Sequence, residues 1–353
     1  MDIGIVGAGI SGLSAAWSLR RAGHRVHVFE RNYKPGGRLN SRRKAGLVVD
    51  HGDRFIARNA PVLREIIMDC GLHGELAQIQ HPIYHIRPDG AFAEQPYEAL
   101  DRNLVTFADG LLTLPEALRR SVGGFYSIQA TSIEWQADRR KFLIRTSPPM
   151  REVETLLDGV ILACAASEAV RLTRPVHSLL RPAFLETVSR VRYTRSLVLM
   201  AALDPVDLDP PFYGIYPPDL PEAVLSWFAF ENLKCRGREV SGWSSVIAHT
   251  RPDSTEQLWS KTDDEIEEIM FEAARRLVPA LPDRWRWARL KRWEISRLRE
   301  ETVLATHADC PATDDEYLLD FCGDYRGGDG AESAAESGRA AAESLVRRMP
   351  KPV

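Results

Sequence analysis

The sequence predicts an α/β protein in which a doubly wound domain is assembled from separated segments and joined to a second, smaller domain of mixed β-sheet and helix. Three observations carry this. Residues 1–30 read as strand, glycine turn, helix and strand, whereas the middle of the chain holds strand-like runs separated by proline- and glycine-rich turns. Residues 317–348 then return to the opening style. A length of 353 residues exceeds what one hydrophobic core usually supports, which agrees with two domains.

Each element has a local reason. "IGIV" is a short apolar run, Gly7 to Gly12 make a tight turn, and Leu13, Ala16 and Leu19 recur at helical spacing until Gly23. "RVHVFE" alternates and is β-branched, as a strand should be. "AGLVVDHG" reads as a strand running into a loop. "APVLREIIMDCG" reads as a helix with Pro61 near its start and Gly71 at its end. "YHIRPDGAF" predicts a hairpin turning at Asp89-Gly90. The helix "GLLTLPEALRRSV", the strands "SIQATSIEW" and "KFLIRT", and "LDGVILACA" return to the first domain. "RSLVLMAAL", "EAVLSWFAF" and "GWSSVIAH" are strands of the second. "TDDEIEEIMFEAARRLV" is its helix, acidic at the start and basic at the end, as the helix dipole favours. "YLLDFC", a glycine-rich loop and the alanine-rich "AESAAESGRAAAESLVRRM" close the first domain. The expected boundaries are 1–75, 105–167 and 300–353 for the first domain, and 76–104 and 168–299 for the second.

Composition excludes several classes. A net charge of −3 leaves no electrostatic footprint for nucleic acid or an anionic membrane. Five scattered cysteines, none in a CxxC pair, argue against a disulfide framework and a zinc site and fit a reducing compartment. No basic n-region precedes the first strand, and no run reaches the length of a membrane span, so a cytoplasmic protein is expected.

Gly7-Ala8-Gly9-Ile10-Ser11-Gly12 matches GxGxxG in the context that gives it meaning: after a strand, opening a helix, with Glu30 ending the second strand. The glycines allow a tight turn and close approach to a pyrophosphate, and the helix aims unpaired N–H groups at it. A carboxylate at Glu30 accepts hydrogen bonds from ribose hydroxyls and repels a 2′-phosphate. The pattern is that of a Rossmann-type dinucleotide site.

The stretches that follow, "ERNYKPGGRLNSRR" and "VVDHGDRF", resemble the flavin-containing amine oxidase superfamily, with its E…GGR run and DxGxxF segment. The resemblance implies noncovalent FAD. It places Gly37 and Arg38 against the pyrophosphate, with Arg31 following Glu30, and it sets Gly52, Asp53, Arg54 and Phe55 beside the flavin ring. A guanidinium offers permanent, bidentate charge to phosphate. In "DGLLTLPEALRRSVGGFYSIQATSIEW", Ala130 takes the position whose backbone pairs with adenine. In "FCGDYRGGDGAESAAESGRAAAESL", Asp324 accepts from ribityl or ribose hydroxyls, and a helix starting at Ala331 or Glu332 points at the flavin N1–C2=O edge. Cys322 lies in an apolar run and reads as core rather than as a flavin attachment.

"VLSWFAFENLKCRGRE" and "RLKRWEISR" resemble the compact renalase-like branch, in which both stretches lie on the substrate side of the flavin. This implies hydride transfer from a small substrate, such as a dihydronicotinamide isomer, to flavin N5, with O2 reoxidising the cofactor to give H2O2. The alternatives are a small-molecule amine oxidase or desaturase-like enzyme, and a flavin-binding sensor without turnover. Pocket candidates are Arg54, Trp227, His249 and Trp293, with Trp243 behind them. Asp53 and Arg54, where the family has a small residue and an amide, either meet a charged substrate or pair with each other. Lys291 is either the lysine that holds a water at N5 or a solvated strand residue.

Overall fold

A computed structural model describes residues 1–93, 104–147, 153–209, 211–218, 220, 222–305 and 309–350. Parts of the expected domain segments (94–103, 148–152, 306–308 and 351–353) therefore lie outside the described residues. Five strands form a wholly parallel sheet in the order Leu319–Phe321, Gly159–Leu162, Asp2–Val6, Arg25–Glu30 and Phe125–Tyr126. The central strands are buried on both faces, as parallel strands between helices must be. On one face the first helix (Ile10–Arg21) packs against the helix Thr113–Val122 and the last helix (Ala331–Arg348) in one apolar core. Gly338 makes that contact possible, because a Cβ there would lie 2.0 Å from the Ser11 carbonyl oxygen.

A second core covers the other face. It takes in the three-stranded antiparallel sheet of Gln129–Gln136, Lys141–Ser147 and Val153–Leu157, and the helices Ala166–Leu172 and Pro182–Ser189. Ala169, Leu172, Phe184, Val188 and Val191 thus share a core with Leu162 and Phe321. Packing sets the domain boundary near residue 191 instead of 167, since the two helices cover the nucleotide sheet.

The second domain is a six-stranded sheet in the order Trp287–Trp293, Ser196–Leu203, Ser244–Thr250, Leu225–Phe230, Gly214–Tyr216 and Ile83–His85. Its last pair is parallel and the others antiparallel. The helix Asp263–Leu277 covers one face, starting from a capping box between Thr262 and Glu265. The hairpin at Asp89-Gly90 is present, with Arg87 N–H donating to Ala91 O and Ile86 bridging Phe92. Among the described residues no helix is long and apolar enough to cross a membrane, and no cluster of His, Cys, Asp and Glu could hold a metal.

The domains meet over four fully buried charges. Asp50, ending the strand Leu47–Asp50, accepts from Lys234 Nζ and Arg238 Nη2, both at 2.6 Å. Arg238 Nη1 reaches Glu231 at 2.5 Å, and Glu231 also accepts from the Asp50 backbone N–H and the Tyr213 hydroxyl. Ser41 Oγ and Leu111 N–H complete the shell of Asp50. This corrects an expectation: the lysine and arginine of "ENLKCRGR" lie under the domain joint, away from the cleft, because two carboxylates there require two cations. Replacing Arg238 with Met leaves two buried carboxylates to share one cation, Lys234. We expect a loss of about 3–5 kcal/mol of stability, measured by urea unfolding.

Candidate active site

A single continuous cleft of about 1520 Å³ runs between the domains, larger than the ~300–1,000 Å³ usual for a small-molecule pocket. At one end it is lined by Glu30, Arg31, Tyr33 and Ala130. Gly7, Gly9, Ile10, Ser11, Gly37, Arg38 and Asp324 line its middle. Gly52, Asp53, Arg54, Phe55, Tyr216, His249, Lys291 and Trp293 line the other end. Nearly every residue the sequence marked for a dinucleotide therefore faces one space. Gly12 and Glu332 do not. A Cβ at Gly12 would sit 2.1 Å from Gly7 O, so its role is the turn itself. Glu332 turns the other way and accepts from the N–H groups of Val62 and Leu63, capping the helix Pro61–Asp69.

The nucleotide end is held by Glu30, whose carboxylate accepts from Ala8 N–H at 2.8 Å and from Asn32 N–H and Nδ2 at 2.8 and 2.7 Å. This fixes the glycine turn to the second strand and leaves the remaining lone pairs at the cleft. In the middle, Arg38 Nη1 donates to Asp324 Oδ2 at 2.6 Å and to Ser296 O at 3.0 Å. Burial opposes its charge, but Asp324 outweighs that and holds the guanidinium above its ordinary range. The sequence placed Arg38 and Asp324 against separate parts of a cofactor, yet the two are bonded to each other. Cys322 is wholly buried in the core beneath them, and burial pushes its thiol well up. Cys164, which the sequence did not single out, lines the cleft with its thiol pushed up to about 12 by burial.

At the far end Gly52 lets the chain pass directly over Arg38, where a Cβ would lie 1.8 Å from the Arg38 carbonyl oxygen. Asp53 N–H donates to that same oxygen. Asp53 and Arg54 do not pair with each other. Burial pushes Asp53 up to about 6, with Arg38 its main opposing cation. Arg54 lies over the Trp227 ring at 4.4 Å and donates to the Tyr216 hydroxyl at 3.1 Å. Trp227 is completely buried beneath it, seated where Gly214 has no side chain, and so supports the wall without lining it. Trp293 donates to His51 O at 2.9 Å and lies under Lys291, which faces the cleft. Trp243 lies outside the cleft, under Arg286.

Two histidines face this end. Burial and then Lys291 hold His51 down to about 4, and burial and then Arg54 hold His249 well below its ordinary value. Their ring atoms His51 Nδ1 and His249 Nε2 are buried without a hydrogen-bond partner. His51 stood in the "VVDHGDRF" segment, but nothing in its spacing separated it from a loop residue.

The middle and far end of the cleft offer bare backbone, helix N-termini and polar ring edges to a dinucleotide. A Cβ built on Gly9 meets nothing within 4 Å, while one on Gly37 would touch Gly9 Cα at 3.3 Å, so two bare backbones face each other across the middle. The first and last helices both open onto the cleft from glycine N-caps, Gly9 and Gly330, with no side-chain cap. Their first-turn N–H groups need acceptors, and phosphate or a heterocycle carbonyl supplies them. The two unpartnered histidine nitrogens add sites for a polar ring edge. The residues fit.

Gly9 adopts φ −69°, which any residue tolerates. Gly9→Ala therefore keeps its melting temperature while losing affinity for the expected FAD, measured by dialysis against the free cofactor. In the cofactor-free protein, the raised Asp53 carboxyl holds its proton in the folded state while the unfolded chain has lost it, between about pH 4 and 6. Stability relative to Asp53→Asn therefore falls as pH rises through that window and is level above it, which urea unfolding at several pH values reads directly.

A family model described as NAD(P)-binding Rossmann-like domain matches residues 5–69, and one described as flavin containing amine oxidoreductase matches residues 90–346. A triple mutant of putrescine oxidase superposes with a TM-score of 0.76 at 12% identity, covering 99% of both chains. Cyclohexylamine oxidase from Brevibacterium oxydans IH-35A gives 0.70 at 13%, covering 98% of both. At such identities the likeness is one of fold. A 4,4′-diapophytoene desaturase (4,4′-diaponeurosporene-forming) of Staphylococcus aureus (strain bovine RF122 / ET3-1) is 29% identical over 153 residues, which cover 41% of this chain and 28% of that protein's length. The chain spans about a quarter of the curated relative it matches. With the second family model covering most of its length, the chain belongs to the flavin containing amine oxidoreductase family.

Proposed function

We propose that the protein is a renalase-like oxidase that removes hydride from a small, flat substrate, such as a dihydronicotinamide isomer, with O2 as the final electron acceptor. The observation that carries this is the single cleft with a nucleotide cradle at one end and an aromatic, histidine-lined chamber at the other. Bound FAD supplies the hydride acceptor and the route to O2. In this reading Glu30, Gly9 and Arg38 hold the nucleotide and diphosphate. Trp293, Tyr216 and Phe55 wall the chamber and exclude water from the reacting bond. His51 and His249, both held neutral, donate or accept hydrogen bonds without bringing charge. A dihydronicotinamide becomes an aromatic pyridinium on losing hydride, so no protein base is required. That agrees with a chamber whose histidines have no carboxylate partner among the described residues.

A desaturase-like activity is the second reading, and the similarity of 153 aligned residues to a desaturase favours it. The two differ in what restores the cofactor. The purified protein is expected to be yellow, to bleach when mixed anaerobically with the right member of a panel of dihydronicotinamide isomers, amines and hydroaromatics, and to recover colour in air with release of H2O2. Bleaching that air does not reverse would exclude the oxidase in favour of the desaturase-like reading.

A further inference from the structure

The chamber carries a charge that the reaction itself does not need. Arg54 faces the cleft from its floor, with its guanidinium on the Trp227 ring and one N–H on the Tyr216 hydroxyl. Among the described residues no carboxylate forms an ion pair with it. The cleft-lining groups around it are mostly cations: Arg42, Arg289, Lys291 and Arg297. Arg292 also lines the cleft but is paired with Asp263. The acids that line the same end are otherwise placed. Asp53 has Arg38 as its main counter-charge, and Glu294 and Asp329 are exposed. His249 beside Arg54 is electrically neutral and has an unpartnered nitrogen.

Arg54 is half-buried, and a partly desolvated guanidinium without an anion has a cost that is retained where function requires it. Its planar fork matches a carboxylate, and stacking on Trp227 fixes the fork's plane. We propose that Arg54 anchors a carboxylate on the substrate, so that this site selects flat carboxylates over ammonium-bearing amines. The proposal rests on this end of the cleft being the substrate end, and it deepens that reading by naming the charge of the substrate. An ammonium group brought to the same wall meets like charge from Arg54, Lys291 and Arg297.

The test uses FAD-loaded protein titrated with benzoate and with benzylamine, read by the perturbation of the visible flavin spectrum and by calorimetry. Benzoate should bind and benzylamine should not at the same concentration. Arg54→Met should weaken benzoate about ten- to a hundredfold, as loss of a charge-assisted hydrogen bond does, while Arg54→Lys retains part of the affinity. A merely structural arginine would lower the melting temperature when replaced. An arginine held for a ligand leaves the cofactor-free Arg54→Met protein melting no lower than its parent, because an unpaired, half-buried charge has been removed. Equal benzoate affinity in the parent and Arg54→Met, or a parent that prefers benzylamine, overturns the anchor and leaves the cofactor assignment standing. A parent protein that takes up no FAD overturns both.

Discussion

Four charges sealed from water govern how the two domains meet. Asp50 and Glu231 balance Lys234 and Arg238, so the set is neutral, and Asp50, Glu231 and Arg238 have hydrogen-bond partners besides their counter-ions, while Lys234 lies over the Tyr213 ring. Asp50 is contributed by the first domain, the other three by the turn after the strand Leu225–Phe230. A hydrophobic joint of the same size would be at least as stable but would tolerate sliding. Directional bonds fix the register between domains. They also fix the backbone from His51 to Phe55, which begins at Asp50 and forms the floor of the substrate end.

The cleft inherits its order from that joint. From Glu30 through Arg38 to Trp293, its lining comes from loops at the carboxyl ends of the parallel strands and from one edge of the six-stranded sheet. This is where open α/β sheets generally bind ligands. The polar groups along it change character with position. Carboxylate and backbone N–H dominate the nucleotide end, an Arg–Asp pair holds the middle, and neutral histidines amid aromatic rings and cations occupy the far end.

Much of this was legible in the sequence, for identifiable reasons. The nucleotide cradle depends on local sterics, so Gly7, Gly9 and Glu30 were found from spacing and context, Arg38 came from the family resemblance, and all line the cleft. What failed was direction. Glu332 lies one residue into a helix whose start was correctly placed, but a helix turns about a quarter circle per residue, and the side chain caps a neighbouring helix instead. Trp227 was marked as a pocket residue because it is aromatic, yet Arg54 lies over its ring and the space left by Gly214 seats it fully buried behind the wall. Lys234 and Arg238 were marked as substrate-facing because nothing local reveals that two carboxylates from distant segments would claim them. Likewise no short-range pattern reveals that Arg54 faces Tyr216 across 162 residues of sequence.

The contact between the first and last helices has an implication for how the molecule is made. The helix Ile10–Arg21 is buried along most of its length, and much of its cover comes from Ala331–Arg348, drawn close by Gly338. The sheet edge at Leu319–Phe321 arrives equally late. A nascent chain leaving the ribosome therefore carries an unsheltered apolar helix through more than 300 residues of synthesis before its partner exists. Such long-range closure is slow. The amino-terminal segment is the natural client for a chaperone, and the nucleotide cradle is complete only once Ala331–Arg348 has been made.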